Sequence, residues 1–160
     1  MFFDLPMFTL IHVVLSVLGI IAGLVVVGGL MSGARLDGWT LFFLVTTILT
    51  NATGFGFPFT KVLPPHVVGA ISLVVLAVAI FARYAGHLKG GWRLTFAITA
   101  MLAFYFNVFV LVVQLFQKIP ALKERAPTQS EPPFAIAQLA VLAIFVVLTV
   151  FASRRFRPAL

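Results

Sequence analysis

The chain contains no cysteine and only four acidic residues, Asp4, Asp37, Glu124 and Glu131. The first absence excludes disulfides, thiolate-ligated metals, covalently attached c-type haem and iron–sulfur clusters, and it leaves the redox compartment open. A metal would have to be held by histidine or carboxylate, and the chain has three histidines. Charge of either sign is scarce at 9% of residues, whereas 62% are hydrophobic and the mean hydropathy is +1.16. That balance lies outside the soluble globular range and points to lipid as the solvent. A net charge of +7 would suggest nucleic acid for a soluble protein. Here the 11 Lys and Arg residues fall in short breaks between apolar runs and act as topology signals, so no nucleic-acid partner is expected. Motifs of nucleophilic or phosphoryl-transfer catalysis are also missing, which argues against an enzyme.

Five apolar runs are long enough to cross a bilayer core of roughly 30 Å at about 1.5 Å per residue. They extend over Met7 to Leu30, Trp39 to Phe57, His66 to Gly86, Trp92 to Gln117 and Phe134 to Ser153. Backbone groups in lipid must be satisfied within the segment, so each run predicts a helix, and the fold class is an all-α membrane bundle of five spans in one domain. The opening MFFDLPM lacks the basic n-region of a cleavable signal, which makes the first run a retained span. Five spans put the termini on opposite sides. Arg35, Arg83, Lys89, Arg93, Arg154, Arg155 and Arg157 share one side, and Lys61, Lys118, Lys123 and Arg125 the other. The more basic side is expected to be cytoplasmic, with the N-terminus outside.

The stretch from Asn51 to His66, NATGFGFPFTKVLPPH, breaks two apolar runs with polar groups, prolines and phenylalanines. Its FGFPF suits a headgroup interface or a short re-entrant turn, and Pro64 and Pro65 are placed to open the third helix. On the first helix His12, Ser16, Gly19 and Gly23 follow steps of four, three and four residues, so they form one narrow stripe that should face other helices. Asn107, Gln114 and Lys118 share a face of the fourth helix, and Gln138 lies just over one turn into the fifth. The polar loop IPALKERAPTQSEPP precedes that helix; its start has the makings of one helical turn and its proline-rich end does not.

The blocks TGFGFPF, LPPHVVGAISLVVLAVAI and QKIPALKERAPTQSEPPF, continuing to Gln138, resemble those of small multi-pass bacterial inner-membrane proteins with no assigned activity. The likeness runs over most of the chain. It implies a bacterial inner-membrane location and supplies no catalytic residues.

With this topology His12, Asn51, Thr53, His66, Gln114, Lys118, Glu131 and Gln138 all fall in the outer part of the bundle or its outer loops. Polar groups at such depth are expensive and tend to mark a ligand site, although helix ends that meet water carry polar residues in any case. The N-termini of the first, third and fifth helices add partial positive charge there, which favours anionic or carbonyl-bearing ligands. The leading expectation is a non-enzymatic accessory subunit or a binder of a lipid-like or quinone-like molecule, with membrane lipid and another membrane protein as partners. A second reading has His12 and His66 hold a b-type haem or contact a quinone, or form a metal site with Glu131, and requires the two imidazoles to approach one another. A third is a small transporter, against which stand the scarcity of intramembrane charge and the lack of an inverted repeat.

Overall fold

The computed structural model describes residues 5–158, so the first four residues of the MFFDLPM segment lie outside the described residues. The elements are α1 (Leu5–Ser32), α2 (Asp37–Gly54), α3 (Pro64–Ile80), a π-helical turn over Phe81–Ala85, α4 (Gly91–Lys118), α5 (Pro120–Arg125) and α6 (Pro132–Arg155). No strand occurs among the described residues.

The breaks have local causes. Leu63 is extended before Pro64 and Pro65, as the steric demand of a following proline requires, and the same device sets Ile119 before Pro120 and Glu131 before Pro132. At the other end of the bundle Gly33 takes φ 77° and Leu36 φ 43°, turning the chain from α1 into α2 within four residues. Asp37 then opens α2, where a carboxylate suits the helix dipole. The π turn closes with Gly86 N–H donating to the Phe81 carbonyl at 2.8 Å.

The five long helices form a closed ring: α1 packs on α2, α2 on α3, α3 on α4, α4 on α6 and α6 back on α1, with α4 also reaching α1. Starts of α1, α3 and α6 gather at one end with the ends of α2 and α4; this is called the N-terminal end below. Four helical segments are long and apolar enough to cross a membrane: Pro6–Ser32, Pro64–Ala85, Gly91–Lys118 and Pro132–Arg155. Their outward faces carry Leu24, Val74, Ile136 and Leu139, each more than 60% exposed, which water would penalise and lipid would not. α2 falls outside this set despite its 18 residues, or about 27 Å, because threonines and Asn51 occupy its inner faces.

The largest packed cluster fills the half of the ring opposite the N-terminal end, while Val113 and Phe116 are buried on α4 near that end. On α1 the cluster uses Ala22, Val26 and Leu30, on α2 Phe43 and Leu44, on α3 Leu76, Ala79 and Ala82. On α4 it runs from Phe96 to Phe104, and on α6 it uses Phe145 and Ala152. Beyond that level the character changes: α4 residues 105–110 are half-buried on every side, and neither 48–54 of α2 nor 132–144 of α6 includes a buried residue. Gly23 marks the boundary. A Cβ there would lie 2.6 Å from the Phe104 ring, so only glycine lets α4 seat this phenylalanine against α1.

Candidate functional site

The N-terminal half holds most of the residues singled out from the sequence, but it distributes them over several groups. His12, on the inward stripe of α1, meets the end of α2: its Nδ1 lies 2.7 Å from the Thr53 hydroxyl. Thr53 in turn donates to the Leu49 carbonyl at 2.7 Å, so the arrangement fits an Nδ1–H tautomer that leaves Nε2 as a free acceptor. Nε2 makes no hydrogen bond among the described residues. Phe57 stands edge-on to the imidazole at 5.1 Å and to Phe8 at 4.9 Å, giving one side of the ring an aromatic wall. Lys118, exposed in the last turn of α4, adds positive charge at this end of the bundle.

His66 belongs to a different setting. Its Nδ1 accepts from the Leu63 N–H at 3.0 Å, half of a capping box that closes the first turn of α3, since a leucine side chain has no acceptor to reciprocate. Phe59 lies 4.2 Å and Phe55 5.8 Å from its ring, centroid to centroid. No hydrogen bond or ring contact connects the two histidines, and no group of three His, Asp or Glu side chains stands together among the described residues.

The remaining expected residues have their own partners. Glu131 turns its carboxylate back onto the loop, accepting from Thr128 N–H, Thr128 Oγ1 and Ser130 N–H at 3.2, 2.7 and 3.1 Å. The Thr128 hydroxyl bond foremost holds this carboxyl below the usual glutamate range. Gln138 donates to the Phe109 carbonyl at 3.2 Å, tying α6 to α4, and its buried Oε1 has no partner among the described residues. Gln114 is half-buried and makes no side-chain hydrogen bond among the described residues. A cavity of about 380 Å³ lies under α5 between Phe116, Gln117, Lys123 and Gln129, and one of about 450 Å³ lies between Pro58, Phe59, Lys61 and Leu63. Both are shallow, and neither is lined by His12.

At the middle of the bundle a second polar group links three helices. Asn51 donates to the Thr47 carbonyl at 2.8 Å and to the Ser72 hydroxyl at 3.2 Å, while Asn107 donates to the Thr47 hydroxyl at 3.3 Å. Sequence reasoning picked out Asn51 and Asn107 but passed over Ser72, whose signal is that it is the one hydroxyl in α3.

It also read Arg83 only as a topology marker. Arg83 is 2% exposed and lies over the Phe96 ring at 5.0 Å. Its Nη2 donates to the Arg35 carbonyl at 3.0 Å and to Asp37, while Nη1 is buried without a partner among the described residues. Gly69, Ser72, Leu76 and Ala79 are the buried residues of α3, and the same steps of three and four lead on to Arg83, a signal present in the sequence.

No protein-family model matches the chain, and neither a curated protein nor a solved structure is detectably similar to it.

Proposed function

We propose that the protein is a bacterial inner-membrane protein whose five long helices, α2 included, cross the bilayer with the N-terminal end outside, and that the N-terminal half of the ring binds a lipid-like or quinone-like small molecule without transforming it. In this role it serves as a carrier or as an accessory subunit for another membrane protein. One observation carries the reading: the main apolar cluster stops at mid-bundle, and the half beyond it, which keeps buried apolar side chains at Val113 and Phe116, also holds His12, Asn51 and Gln138 at half-buried positions. Such a site, apolar-walled with a few placed polar groups, is the usual form of a pocket for an amphipathic ligand.

His12 is the group expected to meet the ligand. Thr53 fixes its ring, Phe57 and Phe8 supply an apolar wall, Lys118 contributes positive charge, and Nε2 is left to accept a hydrogen bond. Asn51, Gln114 and Gln138 line the same half, whereas the partners of His66 and Glu131 assign them to shaping the surrounding loops. A haem held by His12 and His66 finds less support, because each histidine has separate partners.

The test is to purify the protein in mild detergent, extract it with organic solvent and identify what was retained by mass spectrometry, alongside an absorbance spectrum. Wild-type protein should carry an amphiphile in near-stoichiometric amount that His12→Ala and Thr53→Val lose. A Soret band would favour the haem reading. Equal retention by all three proteins, or none by any, would overturn the assignment of His12.

A further inference from the structure

The polar group at mid-bundle holds a chemical imbalance. From Ser16 to Ser153 the helical serines and threonines donate to a backbone carbonyl three to five residues earlier, as with Ser16 to His12, Thr46 to Phe42 and Thr149 to Phe145. Thr47 and Ser72 do not. Both are fully buried, both accept from an asparagine amide, and neither hydroxyl has an acceptor among the described residues. The amide of Asn51 cannot be turned round to supply one, because its nitrogen faces the Thr47 carbonyl, which can only accept. The Asn51 Oδ1 and, in this orientation, the Asn107 Oδ1 therefore remain without donors among the described residues.

Two O–H donors and two carboxamide oxygens are thus left over in a group linked through Thr47 and Asn51; turning the Asn107 amide round would pair its oxygen with the Thr47 O–H and leave its NH2 over in place of both. On the α1 side Gly19 brings the backbone close to this group: a Cβ there would stand in ordinary van der Waals contact with Thr46 Oγ1, Thr47 Oγ1 and Asn107 Nδ2, at 3.4, 3.6 and 3.8 Å. A cation is disfavoured because amide N–H groups already point at both hydroxyl oxygens. An anion is disfavoured by the carboxamide oxygens and by the lack of a formal positive charge. A neutral molecule that both donates and accepts satisfies all four groups.

We infer that Thr47, Asn51, Ser72 and Asn107 form an internal binding site for water, reached from the N-terminal end of the bundle and sealed from the other end by Phe43, Phe104 and the core below them. Buried water characteristically takes two to four such partners. The α2 residues Thr53, Thr50 and Asn51, all half-buried, mark the way in, while the other direction meets Phe43 at 0% and Phe104 at 3% exposure. This inference is independent of which amphiphile, if any, the outer half binds.

The chain has no cysteine, so Thr47→Cys and Ser72→Cys each introduce a single thiol in a side chain of similar size. Ala79→Cys, seven residues beyond Ser72 on the same face and 0% exposed, is the dry control. Membrane vesicles bearing each variant are exposed to silver ion at the N-terminal end, then denatured, and the surviving thiol is counted by mass. The Thr47→Cys and Ser72→Cys thiols should be consumed at least about tenfold faster than Ala79→Cys, since a thiol reacts as the thiolate and must meet water to ionise. Rates equal to the control, or reaction only from the opposite side, would overturn the inference. Wild-type protein supplies a second measurement. In solid-state NMR, water magnetisation should transfer to Ser72 and Thr47 and not to Ala79, and its absence at both hydroxyl residues would also overturn the inference.

Discussion

Arg83 and Glu131 show two ways in which a charge is held in this chain. Arg83 lies over the Phe96 ring and spends one nitrogen on the carbonyl of the α1–α2 loop, so its guanidinium pins the strained Leu36 turn to the end of α3. Asp37, also bonded by Arg35, balances part of the charge from an exposed position. Charge-assisted bonds of this kind contribute roughly 1.5–3 kcal/mol, and the compact, more strongly hydrated ammonium of a lysine cannot reproduce the contact of the guanidinium with the Phe96 ring. Arg83→Lys should therefore lower the thermal midpoint in detergent nearly as far as Arg83→Ala; full rescue by lysine would show that charge alone matters. Glu131 is an exposed carboxylate with loop donors, and its folded value is depressed. The linkage is of the acidic kind: the loop is stabilised above the ordinary glutamate range and loses that contribution as pH falls through the folded value. Limited proteolysis of residues 119–131 should accelerate at acid pH in the wild type, while Glu131→Gln should be cleaved at a rate that varies little with pH.

At the scale of the helices, the apolar runs with their glycine and proline punctuation made all five long elements legible, along with the short turn that became α5. The second run was expected to reach Phe57, but α2 stops at Gly54, where the Phe55 and Gly56 N–H groups bond three residues back and the FGFPF segment folds over Phe8 and His12. The stripe of His12, Ser16, Gly19 and Gly23 was legible because helical spacing alone puts those residues on one face. The pairing of Asn51 with Ser72, the capping role of His66 and the burial of Arg83 were not, since each depends on how a helix is rotated against a partner distant in sequence. Gly23 provides the test at this scale. Gly23→Leu must displace the Phe104 ring and should cost roughly 1–3 kcal/mol, as overpacked sites do, whereas Leu24→Ala, at a position 62% exposed, should change the midpoint far less. Equal effects from the two substitutions would remove α1 from the close contact with α4.

The whole molecule is asymmetric along its axis. Alanines and phenylalanines fill one half, hydroxyl, imidazole and amide contacts join the helices at mid-bundle and beyond it, and α2 supplies the polar side of both the His12 group and the mid-bundle group. The account therefore rests on α2 crossing the membrane although its composition is the least apolar of the long helices. The direct test uses the residues that flank it. Gly38 has nothing within 4 Å of an added side chain, and Thr60 is exposed in the loop at the opposite end. Single-cysteine variants at these two positions can be treated in intact cells with a membrane-impermeant maleimide. Thr60→Cys should be labelled from outside, and Gly38→Cys only after the membrane is permeabilised. Labelling of both from the same side would mean that α2 does not cross, and the N-terminal half of the bundle would then not be a pocket facing the exterior.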